Sequence, residues 1–384
     1  MNISRIKLKN WRNFLKLDIK LHNRLFIIGA NASGKSNFLD AFRFLKDLVT
    51  PGGGLQEALI SRGGLGKVRS LAARQDPQVE ILVELEEPGN HPIQWCYELS
   101  IRQEPRGKRR VELTSEKVWK NGEIILDRPD QDDKRDRLRL TQTHLEQISA
   151  NFHFRSIVDF FNSIRYLHLV PQLVRFPDAF AGQGLPGDPF GSSFMERIAK
   201  TPDKTRRSRL KKIEEGLRLA VPQLKELAFV KDEMGTPHLE AIYEHWRPKA
   251  GKQREDQFSD GTLRLLGLLW AMLETNVLLL MEEPELSLND GIVTSLPGIM
   301  HRLTRQGKNQ SQLFISTHSI SLLSDRGLNA HEILLLTPKK EGTQAELVSD
   351  REDLRSLLES GMAPGDVVIP ASAPRECRQL ELFK

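Results

Sequence analysis

The octapeptide Gly29-Ala30-Asn31-Ala32-Ser33-Gly34-Lys35-Ser36 constrains this chain more than any other feature. It fits the spacing G-x-x-x-x-G-K-[ST], and its flanks fit too. The apolar run Leu25-Phe26-Ile27-Ile28 leads in and reads as a strand covered on both faces. From Asn37 onward Phe38, Ala41, Phe42, Leu45 and Leu48 recur at helical spacing, until Pro51 and Gly52-Gly53-Gly54 end the pattern. A strand that enters a helix through such a loop aims its backbone N–H groups and the helix N-terminus at one point, a cradle for β- and γ-phosphates. Lys35 is expected to bring a point charge there, and the Ser36 hydroxyl to be one ligand of an octahedral Mg²⁺.

Three further segments carry chemistry. Val277-Leu278-Leu279-Leu280-Met281-Glu282-Glu283-Pro284-Glu285 reads as a buried strand ending in carboxylates at its C-terminal edge, where open parallel sheets bind ligands. Glu282 is the candidate on the metal side. Glu283 is the candidate for polarising an attacking water. The bland alternative is an acidic cap after a core strand. Phe258-Ser259-Asp260-Gly261-Thr262 precedes an apolar-periodic helix over 263–273, so Ser259 is a natural N-cap and the helix tip a ready phosphate site; read alone, capping is sufficient explanation. Gln312-Leu313-Phe314-Ile315-Ser316-Thr317-His318-Ser319 is a strand presenting His318 at its end, either as an ordinary loop residue or as a group that touches the γ-phosphate.

Around these segments the spacing predicts an antiparallel β arm over about 78–128, with Asn121-Gly122 as a hairpin turn. Residues 127–139, a run of mixed charge, read as an exposed loop. Residues 145–230 read as mainly helical, broken at Pro171, Pro177 and the Gly/Pro-rich stretch 182–191, with no sustained heptad and so no long coiled coil. Helix and buried strand alternate over the last third, the pattern of an α/β sheet with crossover connections. Three units are expected: 1–170 with the phosphate loop and the β arm, 171–257 as a helical insertion, and 258–384 with the acidic strand and His318.

Composition narrows the setting. The formal charge over 384 residues is +5, but the bases cluster in Arg106-Gly107-Lys108-Arg109-Arg110, in 204–212 and in 247–254. Such clusters suit an anionic partner such as nucleic acid, or form a solvated surface. The two cysteines, Cys96 and Cys377, are far apart and without ligand spacing, so a reducing, cytoplasmic compartment is expected rather than a disulfide scaffold or zinc site. The N-terminus lacks an apolar signal-peptide core, and no apolar run approaches a bilayer span, so no membrane association is expected.

The order of phosphate loop, serine-glycine segment, acidic strand and histidine resembles the ABC ATPase superfamily. Ile6-Lys7-Leu8-Lys9-Asn10-Trp11-Arg12-Asn13-Phe14 looks like the opening of its SMC/RecF branch rather than of membrane transporters. Glu282-Glu283-Pro284-Glu285 and Ser259-Asp260-Gly261-Thr262 are similar to the AAA-annotated ATPases allied to the overcoming-lysogenization-defect (OLD) family, many of which serve in phage defence. The resemblance covers about 1–50 and 255–340. It implies an ABC ATPase head that takes ATP and Mg²⁺ and pairs with a second copy, head to tail, or forms a higher oligomer.

By position, the resemblance assigns nucleotide contact to Gly29, Asn31, Ser33, Gly34, Lys35, Ser36 and Asn37, with Arg12 lining the same pocket. Ser259 and Gly261 would act on the partner's γ-phosphate, Ser287-Leu288-Asn289 would form the D-loop, and His318 would be the switch. Gln172, in Val170-Pro171-Gln172, is the choice for the Q-loop and hence for the metal side. Catalysis falls to Glu283, His318 and Lys35. Three positions depart from the usual pattern: Glu282 and Asn289 stand where aspartate is common, and Asp260 where glycine is. The OLD relatives carry a C-terminal nuclease domain. The stretch after Leu336 shows no acidic metal-binding cluster, so a nuclease or toxin effector is expected as a separate polypeptide. The alternatives are a RecF-like DNA repair ATPase, a nucleotide-sensing scaffold with little hydrolysis, and, least favoured, a transporter subunit. Nucleic acid is left open as a further partner.

Overall fold

The computed structural model describes residues 1–372 except 75, 88–93, 105–108, 177–187, 189, 246–250, 275–277 and 305–310. Val277, Pro177, Arg106 to Lys108, Arg247, Cys377 and the part of the Gly/Pro-rich stretch up to 187 therefore lie outside the described residues.

The chain opens with β1 (Asn2–Trp11) and β2 (Phe14–Lys20), an antiparallel pair, and then enters β3 (Arg24–Gly29). A register shift between Ile3 and Arg5 lets Ile3 share the buried face with Ile6 and Leu8. The arm consists of β4 (Val79–Glu86), β5 (Trp95–Gln103), β6 (Val111–Lys120) and β7 (Glu123–Arg128). It extends β1 and β2 into one six-stranded antiparallel sheet of order β2-β1-β4-β5-β6-β7. Asn121 and Gly122 both have positive φ, 51° and 86°, as the expected hairpin turn requires.

Residues 127–139 are mostly exposed, as expected, but they are not an irregular loop. They form a short helix, Gln131–Arg135, and a 3-10 turn, Arg137–Thr141, around the fully buried Arg128 and Asp133. Arg128 bonds Asp133, Glu116 and the carbonyls of Arg139 and Gln142, which holds these two charged side chains inward while most of the run stays exposed. Pairing and hydrogen bonding make the burial tolerable.

The middle of the chain supplies β8 (Arg165–Leu167) and helices Arg155–Ser163, Pro171–Arg175, Phe194–Lys200 and Asp203–Ala220. The stretch 171–257, expected as a helical insertion, is only partly helical. A three-stranded antiparallel sheet of β9 (Leu224–Lys231), β10 (Pro237–Tyr243) and β11 (Lys252–Arg254) follows, because Leu224, Leu227, Leu239 and Ala241 supply the buried face that packs it down. The longest helix among the described residues is Asp203–Ala220, so the expected lack of a long coiled coil holds for them.

The last third contributes helix Asp260–Glu274, β12 (Leu278–Glu282), β13 (Gln312–Thr317), β14 (Ile333–Lys339) and β15 (Gly342–Leu347). With β3 and β8 they make the central sheet, order β15-β14-β3-β13-β12-β8, parallel except at β15. Both faces are covered. Leu25, Ile27, Leu278, Leu280 and Phe314 point into a core shared with the antiparallel sheet, while Phe26, Ile28, Leu279, Met281 and Ile315 point into one shared with helix Asp260–Glu274. This two-sided burial is why the central strands read as continuous apolar runs. The buried Gln312 side chain bonds the Ile3 backbone on both its N–H and C=O and the His22 carbonyl, tying the two sheets together. Arg24 and Glu332 form a buried bidentate pair beside it. The register places Gly29, Glu282 and Thr317 at one carboxyl edge of the sheet.

Candidate functional site

The phosphate-loop geometry begins at that edge. A Cβ on Gly29 would lie 2.4 Å from Ser33 Oγ and 2.6 Å from the Leu336 carbonyl, so the tight exit from β3 excludes a side chain. Gly34 has φ 102°, and its missing Cβ makes room for the Asn13 amide. Helix Lys35–Val49 starts immediately after it. Asn31 and Ser36 are exposed, whereas Ser33, Gly34 and Lys35 are buried. Ser33 Oγ is a buried hydroxyl with no hydrogen-bond partner.

Lys35 Nζ donates to the carbonyls of Gly29 (3.0 Å) and Ala30 (3.4 Å) and touches His318 Nε2. Burial lowers the Lys35 pKa, opposed by Glu283, Glu282 and Glu285. Burial, and then Lys35, also lowers His318, which favours a neutral imidazole. The two groups expected at the phosphates thus meet across the β3–β13 register.

The carboxylates surround this pair. Glu282 lies at the end of β12 with one oxygen against Ser36 Oγ and the other against the Tyr166 hydroxyl. Glu283 adopts φ 45°, donates its N–H to the Ser316 carbonyl, and brings Oε1 to 3.6 Å from His318 Nε2. A positive φ at a non-glycine residue is a costly placement, and here it turns the carboxylate toward the histidine. Glu285 is mostly buried; Thr317 Oγ1 donates to it at 2.5 Å and the His318 N–H at 3.3 Å, so it anchors the loop that carries the histidine. Its pKa is raised by burial. Ser36 and Glu282 converge as hard oxygen donors, which suits Mg²⁺ held by one carboxylate, a hydroxyl, substrate phosphate and water. Among the described residues no group of three or more His, Cys, Asp or Glu is placed to hold a metal.

The signature segment lies on the neighbouring helix. Ser259 Oγ accepts the Thr262 N–H at 3.1 Å, so it is a true N-cap, and it is exposed. The Asp260 carboxylate is turned aside onto Arg175 (2.7 Å) and Gln172 (3.2 Å). Gln172 therefore contacts the signature rather than the Ser36–Glu282 pair. A Cβ on Gly261 would lie 2.6 Å from the Ser287 carbonyl, which packs the D-loop segment against the helix tip. Asn289 caps helix Asp290–Val293 through the Gly291 N–H, a task asparagine performs as well as aspartate.

Arg12 is placed differently from a free pocket-lining group. Its guanidinium bonds Asp40 at 2.8 Å and the Lys67 carbonyl at 3.3 Å. Burial would raise the Asp40 carboxyl, but Arg62 and Arg12 outweigh it and hold it below the ordinary range. Arg12 still borders an open cleft of about 600 Å³, shared with Asn13, Asn37, Lys67, Arg69 and Leu71, beside the phosphate loop.

Sequence reasoning missed four residues. Asn13 Nδ2 donates to the Ser33 carbonyl (2.8 Å) and to Thr343 Oγ1 (2.5 Å), its Oδ1 accepts from Asn37 at 3.0 Å, and Thr343 Oγ1 also reaches the Ser33 carbonyl. Tyr166 and Arg175 are the others. Asn13 sits inside the opening motif and could have been found there; Thr343, Tyr166 and Arg175 carry no local signal.

A model of the family described as "AAA domain, putative AbiEii toxin, Type IV TA system" matches residues 25–324. Among curated proteins, Endonuclease GajA of Bacillus cereus (strain VD045) is 53% identical over 47 residues, 12% of this chain and 8% of that protein. The match thus spans under a tenth of that relative's length. Two solved structures are similar at 14% identity. An SMC head bound to the C-winged helix domain of ScpA gives a TM-score of 0.52 over 91% of this chain and 100% of that one. An Smc head domain with an extended coiled coil, bound to the C-terminal domain of ScpA derived from Pyrococcus furiosus, gives 0.50 over 94% and 99%. The fold is that of an SMC head.

Proposed function

We propose that this chain, which belongs to the AAA-domain family matched over residues 25–324, binds ATP with Mg²⁺ at the phosphate loop, hydrolyses it, and pairs head to tail with a second copy to do so. The observation that carries this reading is the convergence of Lys35, Ser36, Glu282, Glu283 and His318 at one sheet edge. Loop N–H groups and Lys35 bind the β- and γ-phosphates, and Ser36 and Glu282 hold Mg²⁺, which neutralises charge on the phosphate oxygens. Glu283 orients a water and accepts its proton as the water oxygen bonds to the γ-phosphorus and the bridging oxygen leaves with ADP. His318, held neutral, donates to a γ-phosphate oxygen. The exposed Ser259 cap and the D-loop beside it are available to a second copy.

Replacing Glu283 by Gln should lower turnover by ~10² or more and trap ATP-bound dimers. An unchanged steady-state ATPase rate removes Glu283 from this role. The longer Glu282, Asp260 and Asn289 favour a second reading, a nucleotide-sensing scaffold with little hydrolysis. An ATPase assay on the purified protein, with and without DNA, separates the two.

The output we infer is control of a separate effector, a nuclease or toxin, in a DNA-linked process such as phage defence, with RecF-like repair as the alternative; the short match to an endonuclease supports the former. Helix Asp203–Ala220 offers a basic face to nucleic acid through the exposed Lys204, Arg207, Lys211 and Lys212. Arg206 and Arg209 of the same cluster are committed elsewhere, over the rings of Phe229 and Trp270. If the exposed four follow a phosphate backbone, DNA affinity falls steeply with salt and neutralising them flattens that slope. A salt-insensitive or absent shift in gel assays makes the face a solvated one. We place the protein in the cytoplasm; among the described residues no helix is long and apolar enough to cross a membrane.

A further inference from the structure

Glu282 stands where a shorter aspartate is common, and its extra methylene adds a rotatable bond to a group that must meet a metal of strict octahedral geometry. The structure contains a device that takes up this freedom. Tyr166 lies on β8, the edge strand beside β12, in register with Leu280, two residues before Glu282. Its hydroxyl donates to Glu282 Oε2, while Ser36 Oγ meets Oε1. The guanidinium carbon of Arg43 lies 4.2 Å from the centroid of the Tyr166 ring. Arg43 belongs to the same helix as Ser36 and follows it by seven residues, two helical turns, so the two share a face. The ring is thus held by the helix that presents Ser36, and its hydroxyl by the carboxylate of the adjacent strand. His168 Nδ1, 3.4 Å from the Glu282 carbonyl, backs the same residue from the main-chain side.

We propose that Tyr166 is a positioning residue for the divalent cation: its hydroxyl occupies one oxygen of Glu282 and so presents the other, singly, toward Ser36 and the metal. The proposal rests on the reading that Ser36 and Glu282 face the Mg²⁺ of a bound nucleotide. Hydrogen-bond partners of metal ligands typically contribute 10–100-fold to metal affinity, which is the size of effect expected here.

The test is binding of a fluorescent, non-hydrolysable ATP analogue as Mg²⁺ is titrated, with parallel binding in EDTA. Tyr166→Phe keeps the ring under Arg43 and deletes the hydroxyl. It should raise the Mg²⁺ concentration for half-maximal response by roughly tenfold or more, leave binding in EDTA unchanged, and weaken Mn²⁺ uptake seen by electron paramagnetic resonance. A wild-type protein that responds to Mg²⁺, matched by Tyr166→Phe, overturns the proposal alone. A wild type that ignores Mg²⁺, or binds no better than Lys35→Ala, overturns the underlying reading and the proposal with it. The chain has three tyrosines, so 3-fluorotyrosine labelling offers a second measurement that needs no Tyr166 variant to fold. The Tyr166 ¹⁹F signal, assigned by Tyr97→Phe and Tyr243→Phe, should move when Mg²⁺ joins the bound analogue and stay still in Glu282→Gln. A signal unmoved by Mg²⁺ in the wild type counts against the role.

Discussion

Arg175 Nη2 lies 2.7 Å from Asp260 Oδ1 and 2.7 Å from the Phe258 carbonyl oxygen, so the one acidic residue in the signature tip is neutralised by its own chain. A carboxylate in the first turn stabilises a helix, yet at a phosphate site it repels the ligand. If the tip meets a partner's phosphate, as proposed above, the pair removes this conflict. In a Glu283→Gln background, Arg175→Ala should weaken ATP-dependent pairing of copies by roughly tenfold, the equivalent of about 1.4 kcal/mol. Adding Asp260→Asn should restore it. Sedimentation with and without ATP reads both; a dimerisation constant unaltered by Arg175→Ala would show that Asp260 does not act on the phosphate.

Asn13 braces the phosphate loop from β2's entry turn through Ser33, Asn37 and Thr343. Asn13→Ala leaves buried polar groups short of partners, which costs about 1–3 kcal/mol. Urea unfolding should report that loss, and nucleotide titration a weaker affinity. If both curves superimpose on the wild type, the brace is redundant.

The imidazole of His144 has its pKa pushed down to about 4 by burial and then by Arg128. Below its unfolded value of about 6.5 the unfolded chain binds a proton that the native residue refuses until near pH 4. Its contribution to stability is therefore complete above pH 6.5 and is lost as pH falls toward 4. Replacement by Gln should flatten the decline in melting temperature across that window. An identical pH profile would place the acid sensitivity elsewhere, His22 and His318 being the next candidates because burial lowers them too.

The Arg128–Glu116–Asp133 cluster is fully buried in the arm. Arg128→Met removes the cation and strands two carboxylates, and breaking such a group typically costs 3–5 kcal/mol. The midpoint in urea should drop accordingly. A shift under about 1 kcal/mol would mean that water or protonation compensates the carboxylates.

Local pattern made most of the machinery legible. The phosphate loop, the acidic strand, Ser259 as a cap and the buried strand ending at His318 all stand where spacing placed them, because each depends on residues within a few positions of one another. The charged run 127–139 is mostly exposed, as its pattern indicates, but its helical turns and the burial of Arg128 and Asp133 were not legible for a matching reason. Mixed charge ordinarily means solvent, and the partner that draws Arg128 inward, Glu116, comes from a different strand. The strands at 224–254 were hidden by a short, mixed pattern whose buried face appears only against the neighbouring helices.

The amino-acid order alone determined that a strand would hand a glycine-rich loop to a helix, and that carboxylates and a histidine would end two more buried strands, since hydrophobic period and turn chemistry act over short range. Tertiary structure alone decided which groups meet. Lys35 reaches His318 across 283 positions, Ser36 reaches Glu282 across 246, and Tyr166 reaches Glu282 across 116, because parallel pairing of β3, β13, β12 and β8 aligns their carboxyl ends. Pairing of that kind is set by the packing of two cores against the whole sheet, and no short window of residues contains it.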